Sequence, residues 1–147
     1  MILISACLCG IPCRYDGQSQ PNAEAVRLVS TGKALPVCPE CLGGLPIPRI
    51  SCEIVGGSGE DVLAGRAKVI ANAKEGPIDM TDKFIKGAYL CLQAARDCGA
   101  DTVMLKANSP SCGCGRIYDG TFSGAKRDGD GVATALLRAV GLNVIEV

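Results

Sequence analysis

Ten of the 147 residues are cysteine and none is histidine, so any metal site in this chain must rely largely on sulfur. Seven of the cysteines form three short clusters, namely Cys7, Cys9 and Cys13; Cys38 and Cys41; and Cys112 and Cys114. The remaining three, Cys52, Cys91 and Cys98, are scattered. A site with three sulfur ligands and no imidazole favours an iron–sulfur cluster over most other metal sites. An iron–sulfur protein is therefore the leading hypothesis.

Each cluster follows a short apolar run that is typical of a buried strand. The runs are ILIS, ALPV and TVMLKA. In a parallel sheet the C-terminal ends of the strands lie side by side, and ligands bind at that edge. If the three runs are parallel strands, thiolates from distant parts of the sequence converge there on one point.

Composition limits the possible partners. The 15 basic residues balance the 15 acidic residues, which argues against broad electrostatic binding to nucleic acid or to an anionic membrane. Hydrophobic residues make up 48% of the chain, enough for the core of one domain that spans residues 1–147. We therefore expect a small-molecule partner rather than a nucleic acid or a membrane, and the oligomeric state stays open.

The sequence also indicates a compartment. No stretch is long and apolar enough to cross a bilayer, and the N-terminal MILIS lacks the basic region that begins a secretory signal. We expect a cytoplasmic protein whose thiols stay reduced, which argues against a disulfide scaffold.

Hydrophobic periodicity predicts strands and helices in alternation. Strands are predicted over 2–6, 35–37, 102–106 and 142–147. Helices are predicted over 22–31, from Thr81 to a stop at Gly99, and over 131–140. Cys91 and Cys98 lie on the second of these helices and are expected to belong to the core. The alternation indicates an α/β fold, one domain with a mainly parallel, helix-covered, Rossmann-like sheet.

Two stretches have weaker patterns. Residues 53–80 contain Gly56, Gly57 and Gly59, which suggest a mobile loop, followed by a segment that could form a hairpin or a short helix. The stretch NSPSCGCGRIYDGTFSG after the third strand is interpreted as a loop. In it, and in RYDG near the N-terminus, the Asp-Gly pairs indicate turns.

The cysteine-rich blocks resemble those of a known family. SACLCGIPCRYDG, VCPECLGGLPIPR and KANSPSCGCGRIYDGTFSG are similar to the signature blocks of the thiouracil desulfidase family, and GEDVLAGRAKVIANAKEG and MTDKFIKGA are similar to its middle region. The resemblance implies a [4Fe–4S] cluster held by three cysteines, with one iron open. Matched to the family motifs, the ligands are Cys7, Cys38 and Cys112. Cys13, or less readily Cys9, is an alternative to Cys7.

The resemblance also implies a reaction. A thiolated pyrimidine such as 2-thiouracil would bind the open iron through its thione sulfur, water would add to the ring carbon, and uracil and sulfide would leave without net redox change. Some iron–sulfur sites are lost in air, so the protein is expected to be oxygen-sensitive. The sequence does not choose between the free base, the nucleoside and thiolated RNA, although the neutral charge balance favours a small molecule.

Two residues near the proposed ligands are candidates for proton transfer. Glu40 follows Cys38, and a carboxylate beside a negatively charged cluster can act as acid and base near neutral pH. Its alternative role is a helix cap or an ion pair with Arg49. Ser109, before Cys112, can bind a substrate oxygen or relay a proton, or it can simply form a turn. Ser111 is the alternative serine.

Two other functions compete with the enzyme hypothesis. Cys38-Pro-Glu-Cys41 after a strand is typical of a thiol-redox dithiol, although that function leaves Cys7 and Cys112 without a role. Structural zinc on four cysteines from these loops is also chemically possible and predicts a binding module without catalysis.

Overall fold

The apolar runs before the cysteine clusters form neighbouring strands of one sheet. The computed structural model describes residues 1–147. Its strands are β1 (Ile2–Ser5), β2 (Ala34–Val37), β3 (Cys52–Val55), β4 (Lys68–Ala73), β5 (Gly76–Asp79), β6 (Thr102–Leu105), β7 (Arg116–Tyr118), β8 (Lys126–Asp128) and β9 (Asn143–Glu146). Its helices are α1 (Ala23–Ser30), α2 (Pro39–Leu42), α3 (Gly59–Leu63), α4 (Thr81–Asp97) and α5 (Val132–Ala139).

The main sheet contains four strands in the order β2-β1-β6-β9, and every neighbouring pair is parallel. Strand β1 is therefore central, with Ile2 opposite both Ala34 and Thr102. Side chains alternate between the two faces of a strand, and both faces of β1 are buried, as the fully buried Leu3 and Ile4 show. A strand that is apolar on both faces is typical of a parallel sheet covered by helices.

Helices cover both faces of this sheet. Leu3 belongs to the larger core cluster, together with residues of α4 and α5. Ile4 belongs to the smaller cluster, which includes Ala25 and Leu28 of α1. Cys91 is fully buried in the larger core, and Cys98 is partly buried against it, so both lie where the helix pattern predicts. The predicted α/β class with a mainly parallel sheet is confirmed.

The short helix α2 packs directly on the long helix α4. Gly43, just after α2, and Gly87, within α4, face each other across this contact. A Cβ atom on Gly43 would overlap the backbone oxygen of Lys83, and one on Gly87 would overlap that of Pro39. Only glycine permits this backbone approach, which places α2 at the carboxyl end of β2.

The two weakly patterned stretches are more regular than expected. Residues 53–80 contain both of the predicted alternatives, since the short helix α3 precedes the hairpin β4–β5. Strand β3 pairs with β4 and extends this hairpin to a three-stranded antiparallel sheet. The stretch after β6 is not entirely a loop, because β7 pairs antiparallel with β8. These strands are short, and partner strands distant in sequence decide their pairing. No helix in the structure has the length and apolar character needed to cross a membrane.

Candidate active site

The three cysteines singled out by the family motifs line one cavity at the carboxyl edge of the parallel sheet. Cys7 lies in a 3₁₀ turn that follows β1, Cys38 is the N-cap residue of α2 after β2, and Cys112 follows β6. Two further thiols, Cys13 and Cys52, line the same cavity, which has a volume of about 360 Å³. We call this space the thiol cavity. The parallel strands thus bring together residues more than a hundred positions apart.

Cys13 lies in the same loop as Cys7 and next to Cys38. Cys13 is 5% exposed, and its backbone oxygen lies 3.9 Å from the Sγ of Cys38. The neighbouring Cys13 thiol lowers the pKa of Cys7 below its usual value. The same thiol, together with burial, raises the pKa of Cys38 well above its usual range. Cys7 is therefore the thiol of this group that loses its proton most readily.

Cys112 is held in place from several directions. Its Sγ accepts a hydrogen bond from the buried Ser5 hydroxyl at 3.6 Å, and burial raises its pKa to about 12. Its backbone oxygen accepts a hydrogen bond from Thr134 Oγ1 at 3.0 Å, and Thr134 is fully buried in α5. Because metal binding requires the thiolate, cluster uptake at Cys112 must release a proton.

Glu40 occupies the first turn of α2 beside the thiols, and both of its carboxylate oxygens are occupied. Oε1 accepts a hydrogen bond from Arg49 Nε at 3.0 Å, and Oε2 accepts one from Ser111 Oγ at 2.7 Å. The predicted alternative, an ion pair with Arg49, is thus present, but it is not at the surface. The side chains of Arg49 and Glu40 are only 5% and 13% exposed.

Arg49 ties the carboxylate to the first cysteine loop. Its Nη1 donates to the backbone oxygen of Cys13 at 3.0 Å and to that of Pro46 at 3.2 Å, and it lies 4.0 Å from Cys41 Sγ. The guanidinium therefore links Glu40 to the loop that carries Cys7 and Cys13. A buried charge with this set of partners is costly to remove, because its partners would stay buried without it.

The two candidate serines have different partners. Ser111, which is 3% exposed, makes the direct hydrogen bond to Glu40 and lies 3.7 Å from Cys112 Sγ. Ser109 Oγ accepts a hydrogen bond from the Cys112 backbone nitrogen at 2.7 Å, a turn-forming contact, and lies 3.3 Å from Ser111 Oγ. Both line the thiol cavity. A row of oxygens therefore runs from Glu40 through Ser111 to Ser109.

Two buried polar residues near the cavity, Ser5 and Glu53, were not singled out from the sequence. Ser5, which contacts Cys112, is the one polar residue of the apolar run ILIS, and that position was the available signal. Glu53 is 6% exposed and accepts hydrogen bonds from the backbone nitrogens of Gly120 at 2.9 Å and Phe122 at 3.2 Å. These contacts give Glu53 a structural role, and no sequence pattern marked it.

The remaining motif residues form the outer wall. The RYDG run makes a turn, as the sequence indicates, in which Asp16 Oδ1 accepts from the Gln18 backbone nitrogen at 3.0 Å. Tyr15 of this turn and Tyr118 of β7 line the cavity. Lys106 follows β6 on the same wall. Its positive charge lowers the pKa of Cys7, although by less than the neighbouring Cys13 thiol does. The wall thus adds aromatic surface and positive charge to the thiols.

Comparison with known proteins identifies the family. A sequence model of the family described as 2-thiouracil desulfurase matches residues 2–147. This chain belongs to the 2-thiouracil desulfurase family. The family assignment confirms the resemblance seen in the cysteine-rich blocks, and it extends over nearly the whole chain.

Two members are similar in sequence or structure. A Bacillus subtilis (strain 168) protein described as uncharacterized protein YbbK is 49% identical over 145 residues, which are 99% of this chain and 94% of that protein. A solved structure described as the [4Fe–4S]-dependent thiouracil desulfidase TudS is 42% identical, with a TM-score of 0.84. The match covers 99% of this chain and 89% of that one. The fold of this 2-thiouracil desulfurase family member is therefore that of TudS.

The donor set of the thiol cavity fits a [4Fe–4S] cluster. Thiolates are the protein ligands of such clusters, and the cavity presents them from three separate loops. No group of three or more cysteine, aspartate or glutamate side chains in this structure is arranged to hold a single metal ion.

Proposed function

We propose that this protein is a [4Fe–4S]-dependent desulfidase that converts 2-thiouracil and water into uracil and sulfide. The observation that carries the proposal is the convergence of Cys7, Cys38 and Cys112 on one cavity beside the carboxylate of Glu40. Membership of the 2-thiouracil desulfurase family and the match to TudS support it. Cavity size also fits, since small-molecule sites occupy roughly 300–1,000 Å³.

The three thiols are the proposed cluster ligands. When bound, a [4Fe–4S] cluster with only three protein thiolates supplies a Lewis-acidic position that polarises a thione C=S bond. Cys7 and Cys112 are buried and Cys38 is partly buried, which limits their contact with bulk water, so this polarisation is screened less than it would be at the surface. The chain's own task is then to handle the protons.

The overall reaction requires proton transfer but no electron transfer. Water supplies the oxygen of the new carbonyl group, sulfide departs as HS⁻, and one proton is left over. In this proposal Glu40 Oε2 takes a proton from the attacking water, either directly or through the row of hydroxyls formed by Ser111 and Ser109. Ser109, at the far end of this row, is proposed to contact the substrate.

Arg49 has a supporting role in this proposal. Its hydrogen bond to Oε1 holds the Glu40 carboxylate in one orientation and leaves Oε2 directed at Ser111. A fixed carboxylate loses little entropy when it enters the transition state, which is how buried ion pairs assist proton transfer. Arg49 also donates a hydrogen bond to the backbone oxygen of Cys13, which keeps α2, and thus Cys38, against the loop of Cys13.

The direct test is anaerobic reconstitution followed by a sulfide-release assay on 2-thiouracil. Reconstituted protein should be brown, hold about four irons per chain and release sulfide and uracil in equal amounts. Cluster-free protein, kept anaerobic and at equal concentration, is the control and should release neither. A brown, iron-loaded protein that leaves 2-thiouracil unchanged would reject the proposal.

One observation favours the thiol-redox alternative. The sulfur atoms of Cys38 and Cys41 both lie 3.9 Å from the backbone oxygen of Cys13, so the two thiols are neighbours, as the members of a redox dithiol would be. The two functions differ in what they require of Cys41. A dithiol enzyme loses its activity in Cys41→Ser, whereas the desulfidase should keep both its cluster and its sulfide release in that variant.

A further inference from the structure

One carboxylate of the thiol cavity has no role in the proposed mechanism. Glu53 lies on β3 between Cys52 and Ile54, which both belong to the larger core cluster. Because side chains alternate along a strand, Glu53 faces away from that core. It is 6% exposed and lines the cavity together with Cys38 and Cys112. An ionised group is costly to remove from water without partners, so the contacts of this carboxylate carry information.

One oxygen of Glu53 is fixed by the loop that follows β7. Oε1 accepts hydrogen bonds from the backbone nitrogens of Gly120 at 2.9 Å and Phe122 at 3.2 Å. Both of these residues have a positive φ angle, and the loop directs their two N–H groups at a single atom. A Cβ atom on Gly120 would lie 2.5 Å from the backbone oxygen of Ile54, so the loop rests directly on β3. The carboxylate is therefore held in one orientation.

The other oxygen of Glu53, Oε2, has no hydrogen-bond partner in the chain. Every side-chain nitrogen or oxygen that is fully enclosed by the protein does have one. Oε2 therefore keeps some accessible surface, and the space beside Glu53 is the thiol cavity. An acceptor that is fixed in place and open to a cavity is suited to bind an N–H group of a ligand.

The two buried carboxylates of the cavity thus differ in their partners. Both oxygens of Glu40 are occupied, one by Arg49 and the other by Ser111. Glu53 forms no ion pair with a lysine or an arginine. Its Oε1 is satisfied by two uncharged N–H groups, which are the kind of donor that a pyrimidine ring offers.

We propose that Glu53 Oε2 accepts a hydrogen bond from a ring N–H of the pyrimidine and thereby determines which rings the site binds. This inference rests on the proposed function, which supplies the pyrimidine. 2-Thiouracil carries an N–H group on each side of its thiocarbonyl carbon, and uracil keeps both. A ring alkylated at the nitrogen that faces Glu53 would leave the carboxylate without its partner, so the site should reject it.

The test measures binding of uracil, which has no sulfur to lose, to the anaerobically reconstituted chain by isothermal titration calorimetry. In Glu53→Gln the amide oxygen can keep both backbone hydrogen bonds, while the amide nitrogen replaces Oε2 and presents a donor to the ring N–H. Uracil should bind this variant about 10–100-fold more weakly, the loss expected for one hydrogen bond to a charged group. Iron content and the free energy of unfolding should not change. Glu60→Gln, the same change at an exposed position of α3, is the matched control and should bind uracil normally.

Methylated probes give a second measurement that a purely structural role of Glu53 would not affect. 1-Methyluracil and 3-methyluracil each lack one ring N–H. One of the two should bind the unmodified chain about 10–100-fold more weakly than uracil, and most of that difference should disappear in Glu53→Gln. The inference is overturned by unchanged uracil affinity in Glu53→Gln, by equal affinity of the unmodified chain for all three rings, by a methylation penalty that is the same in both chains, or by no binding of uracil at all.

The result is distinguishable from that of the proposed function. Sulfide release from 2-thiouracil decides the proposed function, whereas the affinities for uracil and its methyl derivatives decide the role of Glu53. A chain that binds uracil through Glu53 but releases no sulfide would reject the desulfidase and leave the pyrimidine contact standing. Sulfide release by the unmodified chain, together with normal uracil binding by Glu53→Gln, would do the reverse.

Discussion

Cys112 and Cys114 are two positions apart in the sequence, yet they lie in very different surroundings. Cys112 is 6% exposed and faces the thiol cavity. Cys114 is partly exposed, and its Sγ accepts a hydrogen bond from Arg138 Nη2 at 2.7 Å. Arg138 in turn contacts both carboxylate oxygens of Asp130 at 2.9 Å. We call this second site, made of Cys114, Asp130 and Arg138, the Cys114 corner.

The two sites differ in how their thiols are arranged. Both sites combine a thiol, a carboxylate and an arginine, so residue type does not distinguish them. The thiol cavity gathers thiols from three strand ends, and its Arg49–Glu40 pair is almost fully buried. The Cys114 corner has one thiol and a half-exposed arginine. The proposed cluster site therefore depends on the convergence of several thiols at the sheet edge, which the Cys114 corner lacks.

The largest expected effect separates the two cysteines. Cys112→Ser removes one of the three proposed ligands and should leave little or no iron after anaerobic reconstitution, measured as iron and inorganic sulfide per chain. Cys114→Ser, the matched control, should retain about four irons. Equal iron content in the two variants would show that Cys112 contributes no more to cluster binding than Cys114 does.

The next effect concerns the carboxylates. Glu40→Gln keeps the size and much of the hydrogen bonding of the side chain but removes its ability to take a proton. Sulfide release should fall by about 10²–10⁴-fold, the usual contribution of general acid–base catalysis, while iron content stays that of the unmodified chain. Glu60→Gln makes the same change at an exposed position of α3 and is the control. It should change neither sulfide release nor iron content.

Ser111→Ala should have a smaller effect than Glu40→Gln. It removes one hydrogen bond to Glu40 and should slow sulfide release by about tenfold. Loss of iron in the Glu40→Gln variant would instead assign Glu40 a structural role.

A third effect tests whether the cavity depends on the backbone packing beneath it. Gly87→Ala places a methyl group against the backbone oxygen of Pro39, so α2 must move away from α4. Overpacking of this kind costs about 1–3 kcal/mol. Denaturant unfolding of the cluster-free chain should show that loss, and iron uptake should fall because Cys38 begins α2. Lys86→Ala, at the neighbouring exposed position, should change neither, and an unaffected Gly87→Ala variant would refute the role of this contact.

The smallest effect is expected at the Cys114 corner. Arg138→Gln breaks the ion pair with Asp130, which solvent screens because the arginine side chain is 42% exposed. The free energy of unfolding should fall by less than about 1 kcal/mol, and iron content should not change. A clear drop in iron would mean that the corner is coupled to the cavity.

Much of this comparison was accessible from the sequence, for physical reasons. The runs ILIS, ALPV and TVML are apolar on both faces, which predicts buried parallel strands, and Cys7, Cys38 and Cys112 follow them. Local spacing therefore placed these cysteines at one sheet edge. Their role as cluster ligands remains a prediction.

The contacts around Glu40 were less accessible. Glu40 and Ser111 are 71 positions apart, and their hydrogen bond depends on how α2 packs on α4 through Gly43 and Gly87. No local pattern reports a backbone approach of that kind. The strands of the antiparallel sheet were missed in part because strand pairing of short segments depends on partners distant in sequence. Cys13 appeared as an alternative ligand, but the contact of its backbone oxygen with the Cys38 thiol needed the fold.

In the proposed reaction, the sulfur of 2-thiouracil is replaced by oxygen from water in the thiol cavity. Mass spectrometry of the product formed by reconstituted protein in ¹⁸O-labelled water under anaerobic conditions tests this directly. The uracil should carry the heavy oxygen, and sulfide should appear in equal amount. Unlabelled uracil, or no uracil from the iron-loaded protein, would contradict it.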